Sequence, residues 1–326
     1  MKTSIYLTVK TKVREKRERM GWKMNIDDRW EHKKLIIVVG PTAVGKTAMG
    51  ISLAKHFKTE IISADSRQFY REMSIGTAKP DTDELKEVKH HFIDSHTIED
   101  EYSAGDFERD ALSLLKLLFE NHDVVVMVGG SGLFVRAVCE GLDNLPKAPI
   151  AVRERLNGIF DREGLEPLQQ KLREVDPDYY GEADIHNPQR VIRALEVYET
   201  TGQPLSSYHV QEMVKRPFEI VTIGLNMERQ RLYDRINLRV DKMIEKGLVN
   251  EVRSLLAYRN KPALLTVGYV EIFDFIDGKI KLEEAISRIK QNSRRYAKRQ
   301  ITWFKKYGNT VWFESDDWEG ILSFLR

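Results

Sequence analysis

The apolar positions of the chain fall into two textures. Residues 35–39 (Leu-Ile-Ile-Val-Val) and 124–128 (Val-Val-Val-Met-Val) are unbroken apolar runs rich in β-branched side chains. Runs of this kind, closed by turn residues, predict strands covered on both faces, as in a parallel sheet. Residues 60–64 predict a shorter strand of the same kind, residues 219–225 a strand returning to the sheet, and residues 310–313 a last one. Elsewhere the apolar positions follow the helical period. Ala48, Met49, Ile51, Leu53 and Ala54 follow the first strand, and Phe107, Ala111, Leu114, Leu115 and Leu118 precede the run at 124. From Ile150 to about Gly202 only the helical texture is present: Val152, Leu156 and Ile159, then Leu168, Leu172 and Val175, then Val191, Ile192, Leu195 and Val197. Residues 228–256 predict a long helix, bent or broken at Gly247, and residues 283–306 predict another.

The turns after the strands carry the candidate chemistry. Gly40, Pro41, Thr42, Ala43, Val44, Gly45, Lys46 and Thr47 fit G-x-x-x-x-G-K-[ST] and lie between a predicted strand and a predicted helix. In that context the glycines let backbone N–H groups converge on phosphate oxygens, and the helix N-terminus adds partial positive charge. Lys46 supplies a mobile full charge and Thr47 a hydroxyl for Mg²⁺. The loop specifies phosphate or pyrophosphate with Mg²⁺; it does not specify a nucleotide. Asp65, Ser66, Arg67 and Gln68 follow the second strand. Ligands sit at the carboxyl ends of strands in a parallel α/β sheet, so Asp65 is expected to face the site the phosphate loop opens. The alternative is that it caps the next helix. Gly129, Gly130, Ser131 and Gly132 form a second glycine-rich turn, with a hydroxyl suited to an anion. A nucleotide hydrolase would carry an acidic residue at the end of such a strand, which argues against plain ATP hydrolysis. His90 and His91 are adjacent, so they face different ways, and no second pair stands at zinc-site spacing.

The predicted fold class is therefore α/β: a P-loop NTPase-like parallel sheet flanked by helices, with a helical insertion domain. The expected division is an N-terminal extension at 1–33, a first part of the core at 34–149, the helical insertion at 150–205, and a second part of the core with basic helices at 206–326.

Composition changes this picture in three places. The chain has 326 residues, 41% of them hydrophobic and 31% charged, which predicts a soluble globular protein, and no apolar run approaches a membrane span. The single cysteine, Cys139, cannot form an internal disulfide, which favours a reducing, cytoplasmic setting. The net charge of +2 hides clustering. Arg231, Arg235, Arg239 and Lys242 share one helical face, which reads either as a solvated surface or as an anion-facing one. Arg288, Arg295, Arg299 and Lys306 line a second face, beside Tyr296 and Trp303. Basic residues interleaved with aromatics suit an RNA backbone and unstacked bases, although such aromatics also serve as core. The basic run from Lys10 to Arg19 reads as a disordered tail, as an upstream extension with Met24 as a start, or as a nucleic-acid-binding arm.

Taken together, GPTAVGKT, DSRQFY with IGTAKP, YSAGDF, VGGSGLF, RVIRALEVYETTG, VGY and YAKRQITWF, in this order over residues 35–305, resemble the bacterial tRNA dimethylallyltransferases. The resemblance implies transfer of a dimethylallyl group from dimethylallyl diphosphate to N6 of the adenosine immediately 3′ of the tRNA anticodon, with release of pyrophosphate. It implies that the phosphate loop holds the diphosphate, that Asp65 is the base, and that Ser131, standing where the family usually has threonine, contacts pyrophosphate. Arg239 then matches a pyrophosphate-clamping arginine. Asp65 to Gln68, Ser131, Arg153, Gln189, Arg190, Val191, Ile192, Arg193, Leu265, Thr266, Val267, Gly268, Tyr269 and Val270 match tRNA-contacting segments, with Arg295 and Arg299 added from the basic helix. The implied partners are the anticodon stem-loop of tRNA, dimethylallyl diphosphate and Mg²⁺, with no membrane and a monomer expected. The chain departs from the family pattern at Phe134, usually tyrosine, at Asn187-Pro188, where aspartate is common, and at Val270, where a basic residue is common. Two rival readings are a P-loop small-molecule kinase, which would leave the basic aromatic helix unexplained, and a non-catalytic RNA-binding protein using the loop as an anion site.

Overall fold

The structure, a computed structural model, describes residues 30, 32–143, 145–209 and 214–326. The basic run at 10–19 lies outside the described residues. The chain divides into two compact units, one of residues 1–140 and 215–326 and one of residues 141–214.

The first unit is built on a parallel sheet with strand order β3-β2-β4-β1-β5-β6 among the described residues. Its strands are β1 (Lys34–Val39), β2 (Ile61–Ser63), β3 (His90–His91), β4 (Val124–Val128), β5 (Glu219–Asn226) and β6 (Val311–Glu314). β1 is central: Ile37 pairs with Met127 of β4 on one side and with Thr222 of β5 on the other. Successive side chains of a strand point to opposite faces, so the continuous run of β1 feeds two cores. Leu35, Ile37 and Val39 pack with Phe107, Leu115, Val240 and Ile272. Ile36 and Val38 pack with Met49, Leu53, Leu232 and Ile236. The helix Lys46–Phe57 lies close enough to the sheet that a Cβ on Gly50 would stand 2.3 Å from Val128 Cγ2.

The apolar stripe at 107–118 forms the helix Ala104–Asn121, closed at its start by a capping box between Ser103 and Asp106. The predicted long helix is two helices, Arg229–Glu245 and Leu248–Ser254, separated at Gly247, whose φ of 97° admits glycine without strain. The basic C-terminal helix spans Leu282–Lys306. Several elements have no counterpart among the expected ones, including the helices Gly132–Glu140 and Val270–Ile276. Thr82–Glu87 is a helix started by a capping box of Asp81 and Glu84. His90–His91 is a strand at the sheet edge, paired to β2, which makes the run at 124–128 the fourth strand of the chain and not the third. Trp318–Leu325 is a helix capped by Asp317.

The second unit is helical, with Ile150–Glu163, Glu166–Val175, Pro177–Glu182 and Pro188–Thr201. Its own core is formed by Leu156, Leu168, Leu172, Val191 and Leu195. Asn187 caps the last of these helices by accepting the Gln189 N–H at 3.1 Å, and Pro188 occupies the first turn, where its missing donor costs nothing. No helix among the described residues is long and apolar enough to cross a membrane.

Candidate active site

The strand order brings the carboxyl ends of β2, β4 and β1 side by side. The turns that follow them are Asp65–Gln68, Gly129–Gly132 and the phosphate loop, so three segments far apart in sequence meet at one edge. This is where an open α/β sheet opens a crevice.

The phosphate loop packs tightly against the sheet. A Cβ on Gly40 would lie 2.6 Å from the Leu225 carbonyl oxygen, and Gly40 has a φ of 139°. Ala43 also takes a left-handed φ of 65°, while Val44 is buried as a core anchor. Lys46 Nζ donates to the Pro41 carbonyl at 2.8 Å. Burial pushes the Lys46 ammonium down to about 8; Asp65 opposes the shift and Arg239 adds to it.

Asp65 lines two cavities. The larger, of about 190 Å³, is walled by Thr42, Ser66, Arg67, Arg239, Thr266 and Tyr296 among others. The smaller, of about 40 Å³, is walled by Lys46, Thr47, Ser63, Gln68 and His90 among others. Asp65 Oδ1 accepts the Arg67 N–H at 3.1 Å, so the carboxylate caps its own turn and also faces the cavities. No helix follows Asp65 directly; residues 66–69 form a turn, so the carboxylate closes that turn and does not cap a helix. Ser131 Oγ accepts the Ser66 N–H at 2.9 Å and donates to Ser66 Oγ at 3.0 Å, joining the second glycine turn to the Asp65 segment. Gln68 Nε2 donates to the carbonyls of Thr77 and Ala78, each at 3.3 Å.

The basic face of the helix Arg229–Glu245 is not a single solvated stripe. Arg231 pairs with Asp316 at 3.7 Å, Arg235 is exposed above Gly45 of the phosphate loop, and Arg239 reaches the cavity. Arg239 Nη2 donates to the Thr77 carbonyl at a long 3.4 Å and makes no ion pair among the described residues. Burial lowers its pKa and the Asp65 charge opposes that shift. Arg67 Nε is buried in the same wall with no hydrogen-bond partner, which leaves a donor at a real cost.

Tyr296 closes the larger cavity. The residue is 37% exposed, but its hydroxyl end is enclosed; that enclosure, followed by the Asp65 charge, pushes the phenol up to about 12. Arg295 and Arg299 are exposed, Arg299 with its guanidinium 5.7 Å from the Tyr296 ring centre. Leu265 and Val270 are also exposed, at 55% and 40%. Tyr269 is fully buried beneath them, against Gly76, where a Cβ would come within 2.5 Å of its ring. In the helical unit, Gln189 and Arg190 are exposed, while Val191 and Ile192 are core. Arg153 and Arg193 both bind Glu196, at 2.5 and 3.2 Å.

Several residues that hold this geometry were not singled out in the sequence. Glu251 accepts the N–H groups of Ser74, Ile75 and Gly76 at 3.0, 2.7 and 3.0 Å, together with the Tyr269 hydroxyl at 2.7 Å. It thereby fixes the loop whose Thr77 carbonyl meets Arg239. Glu271 accepts the Gly268 N–H and an Asn292 amide hydrogen, both at 2.8 Å. Gln300 joins the phosphate loop to the second glycine turn. Glu251 and Gln300 carried a readable signal: each is a polar residue standing in helical register with apolar ones, Glu251 with Leu248, Val252 and Leu255, and Gln300 with Ala297 and Phe304. Phe134, where the related pattern has tyrosine, packs its ring against Phe69 and Phe107, at 5.5 and 5.6 Å between centres.

Comparison with known proteins places this geometry among relatives. The IPP transferase family profile matches residues 68–307. A tRNA dimethylallyltransferase of Christiangramia forsetii is 54% identical over 283 residues, 87% of this chain and 94% of the relative. One from Bacteroides thetaiotaomicron, tRNA dimethylallyltransferase 1, is 47% identical over 90% of this chain and 95% of its own length. Among solved structures, the full-length tRNA isopentenylpyrophosphate transferase of Bacillus halodurans superposes with a TM-score of 0.66 at 40% identity, covering 90% of this chain and 94% of that one. A eukaryotic dimethylallyltransferase acting on tRNA gives a TM-score of 0.70 at 25% identity, covering 88% and 75%.

Proposed function

The chain belongs to the IPP transferase family, the tRNA dimethylallyltransferases, and from that membership we propose that it moves a dimethylallyl group from dimethylallyl diphosphate to N6 of the adenosine immediately 3′ of the anticodon, releasing pyrophosphate. The observation that carries the site assignment is the position of Asp65, which lines both cavities at the foot of the phosphate loop. An exocyclic adenine amine is a poor nucleophile, because its lone pair is delocalised into the ring. A carboxylate in hydrogen-bond reach takes its proton as the new bond forms. In the proposed step the N6 lone pair attacks the allylic carbon, the carbon–oxygen bond breaks, and its electrons leave with pyrophosphate. The N6 proton goes to Asp65.

Pyrophosphate departs into a fixed field of backbone N–H groups, Lys46 and Arg239. Arg239 suits that work because no carboxylate among the described residues neutralises it in an ion pair, and such preorganised charge is the main source of leaving-group stabilisation. Ser131 is proposed to contact the same anion by exchanging its bond to Ser66. The residues fit Mg²⁺ in a sparse way. No cluster of three or more acidic, histidine or cysteine side chains among the described residues could hold a metal, so Thr47 is its proposed protein ligand, with diphosphate oxygens and water completing the shell, the usual arrangement for this ion. When bound, it would neutralise charge on the diphosphate.

The acceptor base has to leave the anticodon-loop stack to reach the larger cavity. Tyr296 in the wall of that cavity, with the exposed Arg295 and Arg299 on the same helix, supports RNA contact there, and the unpaired Arg67 Nε supplies a waiting donor within. The exposed Gln189 and Arg190 support contact by the helical unit, and in the sheet unit the exposed Val270 offers apolar surface in place of a phosphate contact. The test is to incubate the protein with tRNA, Mg²⁺ and dimethylallyl diphosphate, digest the RNA and look for N6-isopentenyladenosine. Its absence, with ATP and not dimethylallyl diphosphate raising the melting temperature, would favour a kinase instead.

A further inference from the structure

We propose that Gln300 is a positioning residue that sets the leaving-group side of the site at a fixed distance from the base side. Gln300 lies in the basic helix Leu282–Lys306 yet is only 6% exposed. It shares the inward register of Ala297 and Phe304, while Arg295, Lys298 and Arg299 on the same turns face outward. Both ends of its side-chain amide are bonded. Oε1 accepts the Thr42 N–H of the phosphate loop at 2.8 Å, and Nε2 donates to the Gly130 carbonyl of the second glycine turn at 2.9 Å. The opposite amide orientation would set donor against donor and acceptor against acceptor, so the partners determine it.

The tie lies where the sheet stops holding the two turns together. Pairing of β1 with β4 ends at Val38 and Val128, and Gly129 N–H still reaches the Val38 carbonyl at 3.2 Å. Beyond that point Gln300 bridges the two turns. A Cβ at 130 would stand 2.3 Å from Gln300 Nε2, forcing that amide to move, and it would lie 3.7 Å from Lys46 Nζ. One end of the tie thus holds the loop that carries Lys46. The other holds the turn whose Ser131 hydroxyl binds Ser66, next to Asp65. Displacement at carbon requires nucleophile, carbon and leaving oxygen in line, and a misplacement of about 1 Å costs on the order of a hundredfold in rate. Gln300 touches neither reactant; it acts through the two turns.

This inference rests on the proposed reaction, and one assay separates the two. Wild-type protein forming N6-isopentenyladenosine tests the reaction; the relative rates of Gln300→Met, Gly130→Ala and the double variant test the tie. The Gly130→Ala change pushes the Gln300 amide off its carbonyl without entering the helix, so it reports on the tie even if Gln300→Met does not fold. Single-turnover rates at saturating tRNA and donor are expected to fall roughly tenfold to a hundredfold in each single variant, with the tRNA dissociation constant within about twofold of wild type. Because Gly130→Ala disturbs a contact that Gln300→Met already removes, the double variant is expected to be no slower than the slower single one. Losses that multiply in the double variant would overturn the proposal. So would a wild-type rate in Gly130→Ala, or variants that lose only melting temperature or tRNA affinity.

Discussion

Arginines in the two units are handled in opposite ways. In the helical unit, Arg153 and Arg193 converge on Glu196, whose side chain is 1% exposed, and their charge is spent on a buried carboxylate. In the sheet unit, Arg239 faces a cavity, is held by one long bond to a carbonyl, and pairs with no carboxylate among the described residues. Desolvation disfavours its charged form, and only the nearby Asp65 opposes that. A charge neutralised in place stabilises a fold; a charge left without a counter-ion in a partly closed cavity is poised for an anion. The same residue type therefore does structural work in one unit and has free capacity in the other.

The largest effect that could break this comparison is at the carboxylate on which the cavity charges converge. Asp65→Asn is expected to slow single-turnover transfer by ~10²–10⁴ while tRNA and diphosphate still bind. A rate close to wild type would reduce Asp65 to a cap for its own turn. Arg239→Ala comes next, with turnover at saturating tRNA expected to drop by about 10²–10³ and the salt dependence of tRNA binding unchanged. Arg295→Ala or Arg299→Ala should do the reverse, weakening tRNA binding, flattening the salt slope by ~0.7–0.9 log units per contact, and leaving the rate recoverable at high tRNA. An affinity series across salt concentrations distinguishes the two patterns, and finding them exchanged would exchange the roles.

Glu196→Gln sharpens the other side of the comparison. Removing one partner of a buried pair costs about 3–5 kcal/mol, and about 2 kcal/mol is expected here because Arg153 stays half exposed. Denaturant unfolding measures it, and a change near zero would class these as ordinary surface ion pairs. The smallest expected effect is in pH. Lys46 is held down near 8 in the free protein, so its charge is present below that pH and lost as pH rises through it. The kcat/KM for the diphosphate donor is expected to fall about threefold between pH 7.5 and 8.5. A flat profile would show that Lys46 keeps its proton throughout.

The parts of the site legible in sequence are those where local chemistry and backbone geometry coincide. A glycine loop after a buried strand, or Asp65 closing another, can be read because parallel strands need continuous apolar runs and their carboxyl ends face the crevice. The break at Gly247 could be read for the same reason, since glycine tolerates the left-handed backbone found there. His90–His91 could not be read as a strand, because a two-residue edge pairing depends on the β2 backbone beside it and not on its own side chains. Val191 and Ile192 fell within a segment assigned to RNA contact, yet they are core. A motif marks a segment, and the helix phase decides which of its side chains are free.

The buried strands, the phosphate loop and the helical texture of 150–202 are legible from the residues alone, because burial periodicity and glycine-dependent turns are properties of a few neighbouring residues. The ordered motif blocks determined the family. Which charges stay available depends on partners brought together by the fold. Arg231, Arg235 and Arg239 look equivalent on one helical face, but one pairs with Asp316, one lies exposed above Gly45 and one enters the cavity. Likewise the register of Glu251 and Gln300 with apolar residues marks them as inward-facing, but the groups they bond, such as the Ile75 N–H and the Gly130 carbonyl, come from turns remote in the chain. The physical reason is that the effect of a polar group depends on what replaces its water, and those partners come from strands and turns remote in the chain.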